Sequence, residues 1–183
     1  MIEPIITFQQ QSYPFASLPN LTYTETAPDG VSLLPVLQGE SSDHWSFRIF
    51  NNFLLNTGVA NALNVQITTW DGVGGTSHTA NTAPVSQNWF YVRQIGYGQK
   101  SSSLVSTTDA YTSYNGTFQA VGGTSYYTIE VSTDGTTTYR AINAGSNNNG
   151  LGFVSLDTYA SVPQTANNAT YNLAWSVSFE WTS

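Results

Sequence analysis

Residues 44–72, HWSFRIFNNFLLNTGVANALNVQITTWDG, contain the clearest strand pattern of the chain and decide its fold class. Apolar and polar side chains alternate in residues 45–50 and again in residues 63–70, as they do in strands that bury one face. The segment between these runs is rich in Asn and Gly, which tolerate the positive φ of a chain reversal. We therefore predict that the two runs form a hairpin of antiparallel strands.

Further stretches predict additional strands at residues 88–97, 126–131, 152–159 and 171–181. Residues 171–181 show the cleanest alternation, whereas residues 88–97 have apolar side chains on both faces, which predicts a central or doubly covered strand. Asn115-Gly116 lies between short alternating runs and favours another hairpin. Apolar residues at the helical spacing of three and four, with helix caps, are not found, so we predict almost no helix.

These patterns indicate an all-β protein. Short strands separated by turn residues are typical of an antiparallel β-sandwich of the immunoglobulin-like or jelly-roll kind. We expect the strand at 171–181 to pack with the hairpin at 44–72 in the core. Residues 39–183 are predicted to form this single domain, with an elaborated middle at 73–150.

The first 38 residues differ from the rest because they contain five prolines. This density of proline excludes a helix and confines strands to an edge or to short pieces such as residues 21–24. Apolar residues are frequent here, so we predict an extended Pro-rich amino-terminal arm that packs on its own domain or on a neighbour. The candidate partner-binding residues of the arm are Ile5, Ile6, Phe8, Tyr13 and Phe15.

Composition excludes several classes of partner. Charged residues make up 8% of the chain, and the net charge is −7 with only four Lys and Arg. Nucleic acid and anionic membranes are disfavoured, because both are bound through clustered basic residues. The chain has no Cys, which excludes disulfides and thiolate metal sites. We also find no secretory leader, no apolar run long enough to span a membrane and no cofactor motif, and we expect no cofactor.

Catalytic residue types are sparse and poorly arranged. His44 follows Asp43 at the start of a predicted strand, where a local hydrogen bond is the simpler interpretation. His78 follows Ser77 in a Gly-rich loop, but no G-x-S-x-G elbow presents that serine. Glu130 and Glu180, the one carboxylate pair that a glycosidase could use, both alternate with apolar residues and are expected at the surface. We therefore predict that the protein is not an enzyme.

The chain resembles two groups of β-sandwich proteins. The run from Phe47 to Asn52, the Asn56-Thr57-Gly58 turn and the return at 62–67 resemble the hairpin of immunoglobulin-like accessory domains. In bulk character, the whole chain resembles small virion proteins of tailed bacteriophages. The shared features are a start without a leader, the absence of Cys, very little Lys, strands rich in Ser, Thr and Asn, and an apolar Pro-rich arm.

This resemblance implies a non-enzymatic structural protein of a phage virion, of the capsid decoration or tail-associated type. Such a protein would be made in the host cytoplasm and would contact the major capsid or tail protein of the particle. It would also form a homo-oligomer, for which a trimer is one candidate. Trp70, which adjoins the loop at 71–84, and His78, which lies in it, are the other predicted partner-binding residues.

The alternative is a carbohydrate-binding module or a lectin-like receptor-binding domain. Exposed Trp and Tyr rings would then stack on a surface glycan, and Asn side chains in the loops would bind its hydroxyls. Trp70 is the preferred platform, because it lies on the face opposite Val65 and Ile67 and adjoins the loop at 71–84.

Overall fold

The chain folds into two antiparallel sheets that pack face to face, which confirms the all-β prediction. A computed structural model describes residues 6–12, 16–20, 36–51, 61–71, 78–98, 111–129, 131–132, 138–139, 141–142, 152–167, 169, 171 and 173–182. Helix in these residues is limited to one turn, α1 (Ala83–Ser86), as expected.

The first sheet has seven strands. Its order is β2 (Ala16–Asn20), β1 (Ile6–Ser12), β3 (Trp45–Asn51), β12 (Phe153–Ala160) and β5 (Phe90–Gly98), with β6 (Tyr111–Ser113) and β7 (Gln119–Val121) both paired to β5. Alternate residues of β5 are buried and the others are half-buried, and the strand lies between β12 on one side and β6 and β7 on the other, as predicted for a central strand. The sequence pattern therefore identifies β5 correctly as an interior strand.

The second sheet is smaller and is built around one long strand. β4 (Asn61–Asp71) pairs on one side with β13 (Leu173–Thr182) and on the other with β8 (Tyr127–Thr128) and β11 (Ala141–Ile142). A separate hairpin joins β9 (Val131–Ser132) to β10 (Thr138–Tyr139). The pairing of β4 with β13 confirms that the strand at 171–181 packs with the second run of the 44–72 stretch.

The predicted hairpin at 44–72 is wrong, although both of its strands are present. β3 pairs with β1 and β12 in the seven-stranded sheet, whereas β4 belongs to the other sheet. The two strands therefore lie in opposite sheets of the sandwich instead of side by side. Alternation specifies which face of a strand is buried, and either arrangement buries the same face.

The hairpin predicted at Asn115-Gly116 is wrong as well. β6 and β7 are both antiparallel to β5, so the chain keeps its direction between them. Neither Asn115 nor Gly116 has a positive φ among the described residues. Gly116 instead lies against β5, where its N–H donates to the carbonyl of Gln94 at 3.0 Å.

Aromatic residues join the two sheets in the core. Trp175 of β13 packs against Phe47 of β3 and Phe90 of β5, with ring centroids 5.5 and 5.7 Å apart. Val65 and Ile67 of β4 are fully buried in the same cluster. The apolar faces recognised in the sequence therefore meet in one continuous core.

The amino-terminal region contributes strands to the seven-stranded sheet. β1 pairs with β3 from Ile6 opposite Asn51 to Gln11 opposite Ser46, and Ile6 packs against the core. Phe8 lies on β1 opposite Ile49. Three other predicted features of the arm, Ile5, Tyr13 and Phe15, lie outside the described residues, as does the short strand suggested at 21–24.

Candidate functional site

A cluster of six side chains stands on the face of the seven-stranded sheet that points away from the core. Phe90 and Val92 of β5 point inward, so Tyr91 and Arg93 point outward. The register of the sheet places Tyr159 opposite Tyr91 and Asp157 opposite Arg93 on β12. The members of this outer-face cluster are His44, Tyr91, Arg93, Phe118, Asp157 and Tyr159.

A carboxylate with two basic partners lies at the base of the cluster. Arg93 donates from Nε and Nη2 to Asp157 Oδ2, at 3.1 and 3.0 Å, and His44 Nδ1 lies 3.3 Å from the same oxygen. The side chain of Asp157 is 13% exposed, against 34% for Arg93 and 52% for His44. The permanent positive charge of Arg93 compensates the Asp157 carboxylate. The two charge-assisted hydrogen bonds between them hold the Arg93 side chain in place.

The rings of the cluster are ordered by one another. Tyr159 is stacked between His44 and Tyr91, with centroids 4.9 Å apart on each side and interplanar angles of 8° and 4°. Phe118 packs edge-on against His44 and Tyr159, and Arg93 Cζ lies 4.5 Å from the centre of its ring. Each side chain is thus held in one orientation before any partner arrives.

The tyrosine at the centre of this stack stays protonated at neutral pH. Burial raises the pKa of Tyr159 above its usual value, and the neighbouring Tyr91 raises it further. A neutral phenol can donate a hydrogen bond to a carbonyl or carboxylate oxygen. Both faces of the Tyr159 ring are covered, so a ligand can approach the ring only at its edge.

Trp70 and His78, predicted from the sequence as partner-binding residues, are brought together. Their rings stack with centroids 5.1 Å apart and an interplanar angle of 20°. The indole N–H of Trp70 donates to Ser176 Oγ at 2.9 Å. His78 therefore covers one face of the Trp70 ring, which was predicted as the platform for a sugar.

Asp71 fixes the segment that carries His78. Its carboxylate accepts hydrogen bonds from Thr79 Oγ1 at 3.1 Å, from the N–H of Asn81 at 2.5 Å and from both the N–H and the hydroxyl of Thr82. Burial alone would raise the pKa of Asp71, but these hydrogen bonds together outweigh it and lower the pKa below its usual value. Asp71, the last residue of β4, thus organises residues 79–82.

No protein-family model and no curated protein matches this chain. Within the described residues, no group of three or more His, Asp or Glu side chains is placed to hold a metal ion. None of the helices in the same residues is both long enough and apolar enough to cross a membrane. What the protein does is therefore inferred from its surface geometry.

The structure does not gather all of the residues predicted from the sequence. Ile6 and Phe8 lie on β1 in the seven-stranded sheet, whereas Trp70 lies near the end of β4 in the other sheet. The outer-face cluster was not predicted as a site. Alternation in residues 88–97 places Tyr91 and Arg93 on one face, but no local signal connects them to Asp157, which is 64 residues from Arg93.

Asp71→Asn is expected to lower the free energy of unfolding by about 1–2 kcal/mol at pH 7. The NH2 group of the asparagine amide would face N–H and hydroxyl donors that now bind the carboxylate, and some of these donors would lose their acceptor. The pKa of Asp71 is lowered by folding, so its contribution is full above the unfolded pKa of about 3.9 and is lost as pH falls through the folded value. Urea unfolding at pH 7 and at pH 3 should show the difference between wild type and variant shrinking at the lower pH. Asp43→Asn, at an exposed position, is the matched control and should change stability by less than about 0.5 kcal/mol.

Proposed function

We propose that this chain is a non-enzymatic structural protein of a phage particle, which attaches to the major capsid or tail protein of that particle through its outer-face cluster. The observation that carries the proposal is the interlocked set of Tyr, Phe, His and Arg side chains on a rigid sheet face. Tyr and Arg are enriched among the residues that dominate the energy of protein interfaces.

The order within the cluster favours tight docking. A free side chain loses about 0.5–1.5 kcal/mol of conformational freedom when it is immobilised at an interface. In this cluster Tyr91, Tyr159 and Phe118 are already restrained by ring contacts, and Arg93 by Asp157. Much of that cost is therefore met in folding and does not recur on binding.

The charge of the cluster also fits a protein partner. Arg93 and Asp157 compensate each other, so the surface can be desolvated without burying an unpaired charge. The complementary surface would offer apolar groups to the rings and hydrogen-bond acceptors to Arg93 and to the Tyr159 hydroxyl. A chain with 8% charged residues suits permanent contacts of this kind in a lattice.

The amino-terminal arm is the less favoured docking element of the two. Ile6 already packs in the core of its own domain, and β1 is paired with β3 along its length. Deletion of residues 1–38 would therefore remove two strands of the sheet, β1 and β2, as well as any contact with a neighbour. Point substitutions in the outer-face cluster separate attachment from folding more cleanly.

The test is incorporation into particles made by the genome that encodes this chain. Quantitative mass spectrometry of purified particles should find the chain at a fixed copy number relative to the major capsid or tail protein. Tyr91→Ala is expected to reduce that copy number at least about tenfold, which is the effect of losing one interface hot spot.

Tyr126→Ala is the matched control, because it removes the same side chain from a position that is 37% exposed and directly precedes β8 of the other sheet. Its copy number should stay within about twofold of wild type. Absence of the wild-type chain from particles, while it is present in the infected cell, would reject the proposal. Thermal unfolding of both purified variants would verify that they remain folded.

Glycan binding is the second candidate, favoured by the outer face of the four-stranded sheet. Trp70 is partly exposed there and donates to Ser176, and Gln66 donates to Thr128. Tyr126, which precedes β8 of this sheet, is exposed as well. Binding on a glycan array that is lost in Trp70→Ala, and kept in Tyr91→Ala, would support this function over the structural one. No binding to any array glycan would remove it.

A further inference from the structure

The connection between β6 and β7 contains one of the two Asn-Gly pairs in the chain. An asparagine loses ammonia most readily when glycine follows it, because glycine has no Cβ to hinder its nitrogen. Asn115 is exposed in the structure, whereas Gly116 is half-buried. The side-chain amide is therefore accessible to water, and the reactivity of the pair depends on the glycine nitrogen.

The loss of ammonia is internal to the chain. The nitrogen of Gly116 forms a bond to Cγ of Asn115, the Cγ–Nδ2 bond breaks, and the proton of the glycine nitrogen leaves with the ammonia. Water then opens the resulting succinimide ring at either of its two carbonyl groups. One product is aspartate, and the other is isoaspartate, in which the main chain passes through Cβ and gains a methylene group.

The fold holds the glycine nitrogen away from this reaction. Gly116 N–H donates to the carbonyl of Gln94 on β5 at 3.0 Å, and Tyr114 N–H donates to the carbonyl of Ile95 at 2.9 Å. The chain is thus bound to β5 on both sides of Asn115. The nitrogen of Gly116 can reach Cγ of Asn115 only after its own hydrogen bond to Gln94 opens.

We propose that Asn115 is a latent deamidation site, which the fold protects by binding the Gly116 N–H to β5. In the folded chain, ammonia is lost only from the fraction of molecules in which this connection is open. The same opening exposes the Gly116 N–H to exchange with solvent. Deamidation of Asn115 and hydrogen exchange at Gly116 are therefore slowed by the same factor. The site is independent of the proposed function.

The two products differ in their effect on the fold. Aspartate at position 115 leaves the main chain unchanged and stands at an exposed position. Isoaspartate lengthens the main chain directly before its close contact with β5, and so displaces Gly116 from the Gln94 carbonyl. It also displaces Phe118, whose ring packs against His44 and Tyr159 in the outer-face cluster. Formation of isoaspartate therefore makes the opening permanent.

Peptide mass spectrometry of the purified full chain, incubated at mildly alkaline pH with and without guanidinium chloride, provides the first test. In the denaturant, Asn115 and Asn149, which also precedes a glycine, should deamidate at similar rates. In the folded chain, Asn115 should react at least about tenfold more slowly than in the denaturant. Hydrogen exchange at Gly116 should be slowed equally. Equal deamidation of folded and unfolded chain, or slowing factors that differ by more than about threefold, would overturn the proposal.

Tyr127→Phe weakens the protection and provides a second test. The hydroxyl of Tyr127 accepts the N–H of Gln94 at 2.9 Å. Its removal should speed the deamidation of Asn115 in the folded chain and raise exchange at Gly116 by the same factor. Tyr126→Phe, at the exposed neighbouring tyrosine, is the matched control and should change neither rate. Faster exchange in Tyr127→Phe without faster deamidation would contradict the proposed protection.

The effect of isoaspartate is measured on refolded chains. An Asn149→Gln chain that has been deamidated at position 115 in guanidinium chloride is separated into its aspartate and isoaspartate forms and refolded. The isoaspartate form should unfold at a lower denaturant concentration, and the aspartate form should match Asn115→Asp in the same background. Equal stability of the two forms would show that the main chain tolerates the added methylene group, against the proposal.

Discussion

Trp175→Ala is expected to lower the free energy of unfolding by about 3–5 kcal/mol, the usual cost of truncating a large buried aromatic residue. The indole of Trp175 is 6% exposed and touches Phe47 and Phe90, so it connects β13 to two strands of the opposite sheet. Its removal would leave a cavity between the sheets that neighbouring rings cannot fill. Because domains have about 5–15 kcal/mol of stability in total, this one change removes a large share of it.

Trp175→Phe separates the effect of volume from the effect of the indole N–H. The Nε1 atom of Trp175 is buried without a hydrogen-bond partner among the described residues, and an unsatisfied buried donor costs about 1–3 kcal/mol. Phenylalanine fills much of the same space and removes that donor. We therefore expect Trp175→Phe to lose less than about 1.5 kcal/mol.

Urea unfolding of both variants, followed by far-ultraviolet circular dichroism, would measure these changes. The alanine variant should unfold at a much lower urea concentration than wild type, and the phenylalanine variant close to wild type. Equal losses in the two variants would show that phenylalanine does not replace the packing of the indole, against this expectation. A loss below about 1 kcal/mol in Trp175→Ala would contradict the placement of this ring between the sheets.

Much of the fold could be predicted from the sequence because strand formation depends on a local pattern. Alternation over five to ten residues identified β3, β4 and β13 with an apolar face on each, and β5 and β12 were recognised as strands. The choice of partner strand could not be read in the same way. β3 pairs with β12, about a hundred residues later in the chain, while β4, its neighbour in sequence, joins the other sheet. Pairing over that distance depends on the packing of the whole sandwich, which no local window contains.

The contacts of the candidate sites were likewise predictable only where the residues are close in sequence. Trp70 and His78 are eight residues apart, so their contact is local in the chain, and Asp71 beside Trp70 holds residues 79–82. His44 and Asp157 are 113 residues apart. Sequence reasoning assigned His44 a local bond with Asp43, because an adjacent carboxylate is the simplest partner, whereas the sheet register supplies Asp157 instead. A site built from three strands becomes visible only when their register is known.

Gly116 shows how a residue type can be recognised and its role misjudged. The Asn115-Gly116 pair favours a reversal with positive φ, yet the chain runs straight on from β6 to β7. The glycine is required by a close approach of two backbones. A Cβ atom at position 116 would lie 2.5 Å from the carbonyl oxygen of Gln94 and 2.8 Å from the hydroxyl of Tyr127.

Gly116→Ala is therefore expected to destabilise the protein by about 2–4 kcal/mol, as overpacking and disrupted hydrogen bonds add together. The added methyl group must push the connection away from β5. That movement strains two hydrogen bonds, from Gly116 N–H to the Gln94 carbonyl and from Gln94 N–H to the Tyr127 hydroxyl. The Tyr127 side chain is buried in the core, so it cannot move aside cheaply.

Asn115→Ala is the control for this substitution, since residue 115 is exposed and its replacement should change stability by less than about 0.5 kcal/mol. Urea unfolding gives the two free energies, and amide hydrogen exchange at Gln94 and Gly116 reports the local bonds. If Gly116 served a turn with positive φ, Gly116→Asn would be tolerated far better than Gly116→Ala, because Asn adopts that conformation readily. Close backbone approach predicts the opposite order: asparagine, which is larger, should destabilise the protein at least as much as alanine.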